Sequence, residues 1–225
     1  MTKNLSKRIL TSLILSIILL ICLFFNKYSW LILVIIASII CFFEFNNLAK
    51  KIWKKRKLYI YFANVISFSY LIFFTYAVYQ LYTPSLNFTI FVLLICIFSD
   101  IGGYVIGKSI GGKKLTKISP NKTISGSIGS FIFSLIPIII FLFIYEFTKN
   151  NDFHIRNADF DNAIFLCLFT SLMCQLGDLF ISYYKRKAKI KDTGSILPGH
   201  GGLLDRIDGF TVALPSVFII DKIFF

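Results

Sequence analysis

A chain of 225 residues that is 56% hydrophobic, carries 26 Phe and is only 16% charged is not composed like a soluble domain, where roughly a quarter of the residues are charged. Its net charge of +13 would suggest nucleic acid in a soluble protein, but the apolar residues fall in blocks of the roughly 20 residues that a bilayer-spanning helix needs. The positions of the basic residues explain the charge without a nucleic-acid partner.

Taken in order, Lys3, Lys7 and Arg8 precede an apolar stretch from Ile9 to Phe25. It resembles a secretory signal, but it is longer than a usual signal core and no A-x-A-like cleavage site follows, so a retained first helix is expected. Further apolar segments cover 29–48, 58–82, 86–107, 124–147, 162–184 and 203–224. The expected fold is therefore an all-α polytopic integral membrane protein with seven spans in a single transmembrane domain. The basic residues sit in alternate connections: the N-terminal tail, 49–57 with its edge, 108–123 and 185–202 together hold 19 of the 24 Lys and Arg. The opposite connections have only Lys27, Lys149 and Arg156. The positive-inside rule then places the N-terminus and the three basic loops in the cytoplasm and the C-terminus outside.

Cys22, Cys41, Cys96, Cys167 and Cys174 all lie in apolar segments, with no Cys-x-x-Cys pair, and are expected to pack as small apolar residues. His154 and His200 are too few and too scattered for a zinc site. Gly103, Gly107 and Gly111 have small-xxx-small spacing, which suits either close helix packing or a phosphate-facing turn.

Acids inside a bilayer cost roughly 2.5–3.5 kcal/mol each at its centre and are seldom found there without a partner or a task. Asp100 is expected about 10 Å inside the cytoplasmic end of the fourth segment and Asp178 about 9 Å inside that of the sixth. Asp205 and Asp208 fall in the first two turns of the last segment, and Glu44 is near the cytoplasmic end of the second. The expected topology puts these acids in one layer beneath the basic loops. Gathered carboxylates repel one another, and a divalent cation relieves the repulsion. Oxygen ligands suit Mg²⁺, which takes one or two carboxylates plus substrate phosphates. Neighbouring Lys185, Arg186, Lys191 and Arg206 suit an anionic substrate. Acids for metal and bases for phosphate at a membrane surface point to chemistry on a phosphorylated lipid; buried structural salt bridges are the alternative.

Residues 182–208 read Ser-Tyr-Tyr-Lys-Arg-Lys-Ala-Lys-Ile-Lys-Asp-Thr-Gly-Ser-Ile-Leu-Pro-Gly-His-Gly-Gly-Leu-Leu-Asp-Arg-Ile-Asp. This stretch resembles the signature of the phosphatidate cytidylyltransferases (CDP-diacylglycerol synthases). Ser182, Lys185, Arg186, Lys191, Asp192, Gly194, Leu197, Pro198, His200, Gly201, Gly202, Asp205, Arg206 and Asp208 match it in register. Gly177-Asp178-Leu179 precedes it at the family's spacing. Asp100, Tyr104, Gly107 and Ile118-Ser119-Pro120-Asn121-Lys122-Thr123 resemble the family's other cytoplasmic motif. Two positions depart: Tyr184 replaces an aliphatic residue or Phe, and Ser125 stands where Glu or Gln is common. The likeness is firm over 100–130 and 175–215, and weakest over 1–90, where spans present in many relatives are missing; 91–225 would hold the catalytic helices.

The resemblance implies Mg²⁺-dependent transfer of CMP from CTP to phosphatidic acid, giving CDP-diacylglycerol and pyrophosphate at the cytoplasmic face of a bacterial inner membrane. Asp178, Asp205 and Asp208 would be the metal ligands, and a second metal ion is compatible with the chemistry. Lys185, Arg186, Lys191 and Arg206 would hold phosphate. Ser119, Lys122 and Thr123 would line the nucleotide side. Ser182, Asp192, His200, Gly201, Gly202 and Asp100 complete the expected substrate contacts, with Pro198 to Gly202 forming a tight turn. The oligomeric state is open, a homodimer included. Two other readings stay open: a CTP-using cytidylyltransferase or kinase acting on another membrane lipid, and an anion or lipid transporter, for which an internal repeat is usual and none is visible.

Overall fold

The computed structural model describes residues 2–83, 85–148, 160–199 and 201–224, with the side chains of 2–9, 145–148 and 224 left aside. His154, Lys149, Arg156 and the signature's His200 lie outside the described residues. Eight helices follow in order: α1 (Thr2–Phe25), α2 (Lys27–Trp53), α3 (Lys57–Tyr82), α4 (Leu86–Ile110), α5 (Ile124–Phe133), α6 (Ile136–Thr148), α7 (Phe160–Lys187) and α8 (Leu204–Phe224). Among the described residues there are no strands, only isolated bridges between Lys114 and Thr123 and between Leu197 and Gly201.

The expected membrane class holds: the chain is an all-α polytopic membrane protein. Five helical stretches are long and apolar enough to cross a bilayer, namely α2, α3, α4, Ile124–Ile144 and α7. Leu10–Phe25 of α1 is a shorter apolar helix. In α8, Asp205, Arg206 and Asp208 at the start and Asp221 and Lys222 at the end bracket a short apolar middle.

The helix ends follow local chemistry. Asn26 caps α2: its Oδ1 accepts from the backbone of Tyr28 at 2.9 Å and Ser29 at 2.8 Å, while Ser29 Oγ accepts from Asn26 N, a reciprocal box that satisfies first-turn donors. Ser85 caps α4 through Phe88 N, and Thr123 caps α5 through Gly126 N. The fifth apolar segment, expected as one helix over 124–147, is two. Leu135 N reaches back to Ile132 O and Ile138 N to Leu135 O, tighter i→i−3 contacts that end α5. The physical reason is Pro137, which has no N–H and whose ring clashes with the carbonyl four residues earlier.

The chain divides into two compact units. The first comprises Met1–Tyr79 and Ile181–Asp208. Its core joins Cys41 and Leu48 of α2, Leu71 of α3, Ile181 of α7 and Leu204 of α8, with Phe42, Phe45, Ala188, Ile190, Leu203 and Ile207 packed around them. Ser38 and Thr75 share a hydrogen bond of 2.9 Å between α2 and α3. The second unit comprises Gln80–Phe180 and Gly209–Phe225, with Cys96, Cys174 and Ala213 central and a Ser99–Ser171 bond of 2.8 Å. All five cysteines are free thiols and all but Cys22 are buried, as packing residues should be.

Two members of the glycine series are packing residues and one is not. Gly103 and Gly107 of α4, together with Gly102, lie against Gly126, Gly129 and Ser130 of α5. A Cβ on Gly103 would stand 2.6 Å from Ser130 Oγ, and one on Gly107 3.3 Å from Gly126 Cα. Gly111 instead ends α4 at φ 64, its N–H donating to Gly107 O, a left-handed position that suits glycine. A Cβ on Gly102 would press on the Gly129 carbonyl oxygen and stand 2.5 Å from Phe133 Cβ. Gly102→Ala should therefore destabilise the protein by about 1–3 kcal/mol, the usual cost of overpacking, and lower its thermal midpoint in detergent. An unchanged midpoint would mean that the two helices part without cost.

Candidate active site

In the first unit the candidate site is built where α7 ends and α8 begins. Lys189, at φ 57, takes the left-handed position after α7: Lys189 N donates to Arg186 O and Ile190 N to Lys185 O, the paired closure of a Schellman motif. The chain then runs through Asp192 and Thr193 to a turn closed by Leu197 N→Gly201 O at 3.0 Å and Gly201 N→Leu197 O at 3.2 Å. Among the described residues, these bonds bring Leu197 and Gly201 together in the stretch where the resemblance implies a tight turn. Gly201, at φ 89, has Asp192 Cβ and Asp205 Oδ2 just over 3 Å from where its own Cβ would be. The amides of Gly201 and Gly202 are bonded to Leu197 and Asp205, and their missing side chains leave room for Asp192, Asp205, Thr193 and Glu44 to pack against the turn.

Asp205 accepts four hydrogen bonds. Lys185 Nζ donates to its Oδ1 at 2.7 Å, with only 16% and 7% of the two side chains exposed. Its Oδ2 accepts from Thr193 N at 2.7 Å, Thr193 Oγ1 at 3.0 Å and Gly202 N at 3.1 Å. Asp208 follows one turn later on α8, half-buried, while Arg186, Lys191, Asp192 and Arg206 are exposed and Ser182 is half-buried. Lys187 is drawn aside over the Trp53 ring, 5.6 Å from its centroid.

The second unit contains the other motif. The connection between α4 and α5 is closed by Leu115 N→Lys122 O, Ile124 N→Lys113 O and Lys122 N→Ser119 O, and Ser119 N donates to Thr116 Oγ1. This loop sends Lys122 to α7, where its Nζ donates to Asp178 Oδ2 at 2.7 Å, with the side chains 30% and 20% exposed. Thr123 is occupied as the α5 cap. Ser125, which replaces the family's acid or amide, bonds Thr123 Oγ1 at 3.0 Å and donates to Gly111 O, tying the loop's two ends together. Gly209 lets α8 lie close to Asp178, whose Oδ1 would be 3.0 Å from a Cβ there. Asp100 accepts from Cys174 Sγ at 3.7 Å.

The sequence of the cytidylyltransferase family matches residues 61–224, a range that includes both lysine–aspartate pairs. The chain belongs to the cytidylyltransferase family. Among similar proteins, a phosphatidate cytidylyltransferase of Rickettsia bellii is 40% identical over 146 residues, covering 63% of this chain and 61% of that protein. Enzymes of the same name are 40% identical in Staphylococcus haemolyticus, over 61% of this chain and 50% of the relative, and 38% identical in Staphylococcus saprophyticus, over 63% and 52%. The chain thus spans little more than half the length of the curated relatives it matches.

Among the described residues no group of three or more His, Cys, Asp or Glu side chains comes together to hold a metal. Mg²⁺ does not require one, since substrate phosphates and water complete its shell around one or two carboxylates. Asp205 with Asp208 in the first unit, and Asp178 in the second, are hard oxygen donors of that kind, so the donor set fits on its chemistry. Asp205 and Asp178 each hold a lysine ammonium as their cation.

Two residues of this region were not assigned a role from sequence. Thr193 bonds both Asp205 and Glu44, and nothing in the string Lys-Asp-Thr-Gly marks it. Glu44 was visible as an acid inside a span, but its partners lie about 150–160 residues further along the chain.

Proposed function

We propose that this chain transfers CMP from CTP to phosphatidic acid, yielding CDP-diacylglycerol and pyrophosphate. The reading is carried by one observation: relatives bearing that name match at about 40% identity, and the family match includes the loops that deliver Lys122 to Asp178 and Lys185 to Asp205.

In this reaction a phosphatidate oxygen attacks the α-phosphorus of CTP. The new P–O bond forms as the bond to the bridging oxygen breaks, and that oxygen leaves with pyrophosphate. The nucleophile is already anionic, so no protein base is needed and the work is positioning and charge neutralisation. Lys185 and Lys122 hold ammonium groups where phosphate charge would arrive, and exposed Arg186, Lys191 and Arg206 add donors, the arginines in forked geometry. Asp205 with Asp208 in the first unit, and Asp178 in the second, are each acids that would hold Mg²⁺, which when bound would neutralise charge on the transferring and leaving oxygens. The alternation of basic loops supports an active site on the cytoplasmic face of a cell membrane.

The test is detergent-purified protein given labelled CTP, phosphatidic acid and Mg²⁺. Labelled CDP-lipid and pyrophosphate are expected in equal amounts. Binding of either substrate without pyrophosphate release would overturn the reading in favour of a carrier.

A further inference from the structure

Glu44 is an acid that the proposed chemistry does not use, and it is 2% exposed. It lies before residue 61, where the family match begins, and outside the signature. Each of its oxygens is spent on the signature segment. Oε1 accepts from Leu203 N at 3.0 Å; Oε2 accepts from Leu204 N at 2.9 Å and lies 2.9 Å from the Thr193 hydroxyl.

These donors are the ones α8 leaves unpaired. Arg206 N and Ile207 N both donate to Leu203 O, which makes Leu203 the residue that opens the helix. A leucine has no side-chain oxygen to cap it, so the first amides need an acceptor from elsewhere. Glu44 supplies that acceptor from α2, and its negative charge also suits a helix N-terminus. The backbone makes room for it: a Cβ on Gly194 would stand 2.6 Å from Oε1, and one on Gly202 2.5 Å from Oε2. Thr193 links it onward, because the same hydroxyl lies 3.0 Å from Asp205 Oδ2. One hydroxyl has a single proton to donate, so Glu44 and Asp205 compete for it.

We infer that Glu44 is a positioning residue for the CMP transfer, holding the 193–204 loop and the first turn of α8 so that Asp205 and the Gly201 turn are presented in one geometry. The inference rests on the cytidylyltransferase reading for its catalytic part. Its structural part stands on the bonds to Leu203 and Leu204.

The test uses the full chain with Glu44→Gln, which keeps the shape and one acceptor oxygen, and Glu44→Leu, which removes every acceptor. Amide hydrogen exchange on the Mg²⁺-free protein should show faster exchange at Leu203 and Leu204 in both variants, more in Glu44→Leu, with the middle of α8 as protected as in wild type. In the CDP-lipid assay turnover should fall about 10–100-fold, as for groups that orient a ligand, and the Mg²⁺ concentration for half-maximal rate should rise. A merely structural glutamate would reduce the fraction of active molecules and leave that concentration unchanged, which would overturn the proposal. Unaltered exchange at Leu203 and Leu204 would overturn it as well. If Glu44→Leu does not fold, Glu44→Gln decides by the same two readouts. If wild-type protein makes no CDP-lipid, the reaction reading fails, while the exchange result still decides whether Glu44 holds this loop.

Discussion

Asp205→Asn is expected to lower CDP-lipid formation on the order of a hundredfold or more, as when a group aimed at reacting charge is removed, and to destabilise the protein as well. Two effects combine because Asp205 has two tasks. Its Oδ1 balances Lys185 in a pair that is nearly buried, and removing one member of such a pair typically costs about 3–5 kcal/mol because the other charge is left without compensation. Its Oδ2 gathers the Thr193 and Gly202 amides, and an asparagine can offer its single carbonyl oxygen to only one side. Initial rates and thermal unfolding in the same detergent measure the two effects separately. Near-wild-type turnover would remove Asp205 from the site; unchanged stability with lost turnover would mean that the Lys185 pair contributes little to the fold.

Asp178→Asn should lose turnover on a similar scale while changing stability by less than about 1 kcal/mol, the range of partly exposed pairs. The contrast with Asp205 comes from exposure. Lys122 and Asp178 are 30% and 20% exposed, so a released Lys122 can turn its ammonium towards water. The check is the same pair of measurements. A variant that still turns over normally at ordinary Mg²⁺ would end the assignment of Asp178 to the site, and a stability loss as large as that of Asp205→Asn would contradict the comparison drawn from exposure.

The sequence makes the helices legible because a bilayer demands long apolar runs, and few other folds supply them. The turn around Pro198 is implied by the family resemblance, and glycine at 199 and 201 suits it because both take positive φ, a region open to glycine at no steric cost. What the sequence could not show is pairing. Residue types leave open whether acids hold metal and bases hold phosphate or whether the two pair with each other, and the structure joins Lys185 to Asp205 and Lys122 to Asp178 across 20 and 56 residues. Charge type is local, but partnership depends on packing. The break after Phe133 shows the same limit. Pro137 stands inside the apolar run, but membrane helices tolerate proline when freed backbone groups find other partners, so its effect depends on neighbours that the string does not display. Glu44 is the clearest case, because its acceptors serve amides of a helix that begins 160 residues later.

The bare strip shared by α4 and α5 has an evolutionary consequence. Where glycines let two backbones come this close, helical phase matters more than residue identity. Inserting or deleting one residue within either helix between Gly102 and Gly129 would rotate everything beyond it by about 100°, swinging bulky chains into the places that glycine now holds. Lineages carrying this protein should therefore accept many substitutions on the outer faces of these helices, yet hold the number of residues in each of them fixed.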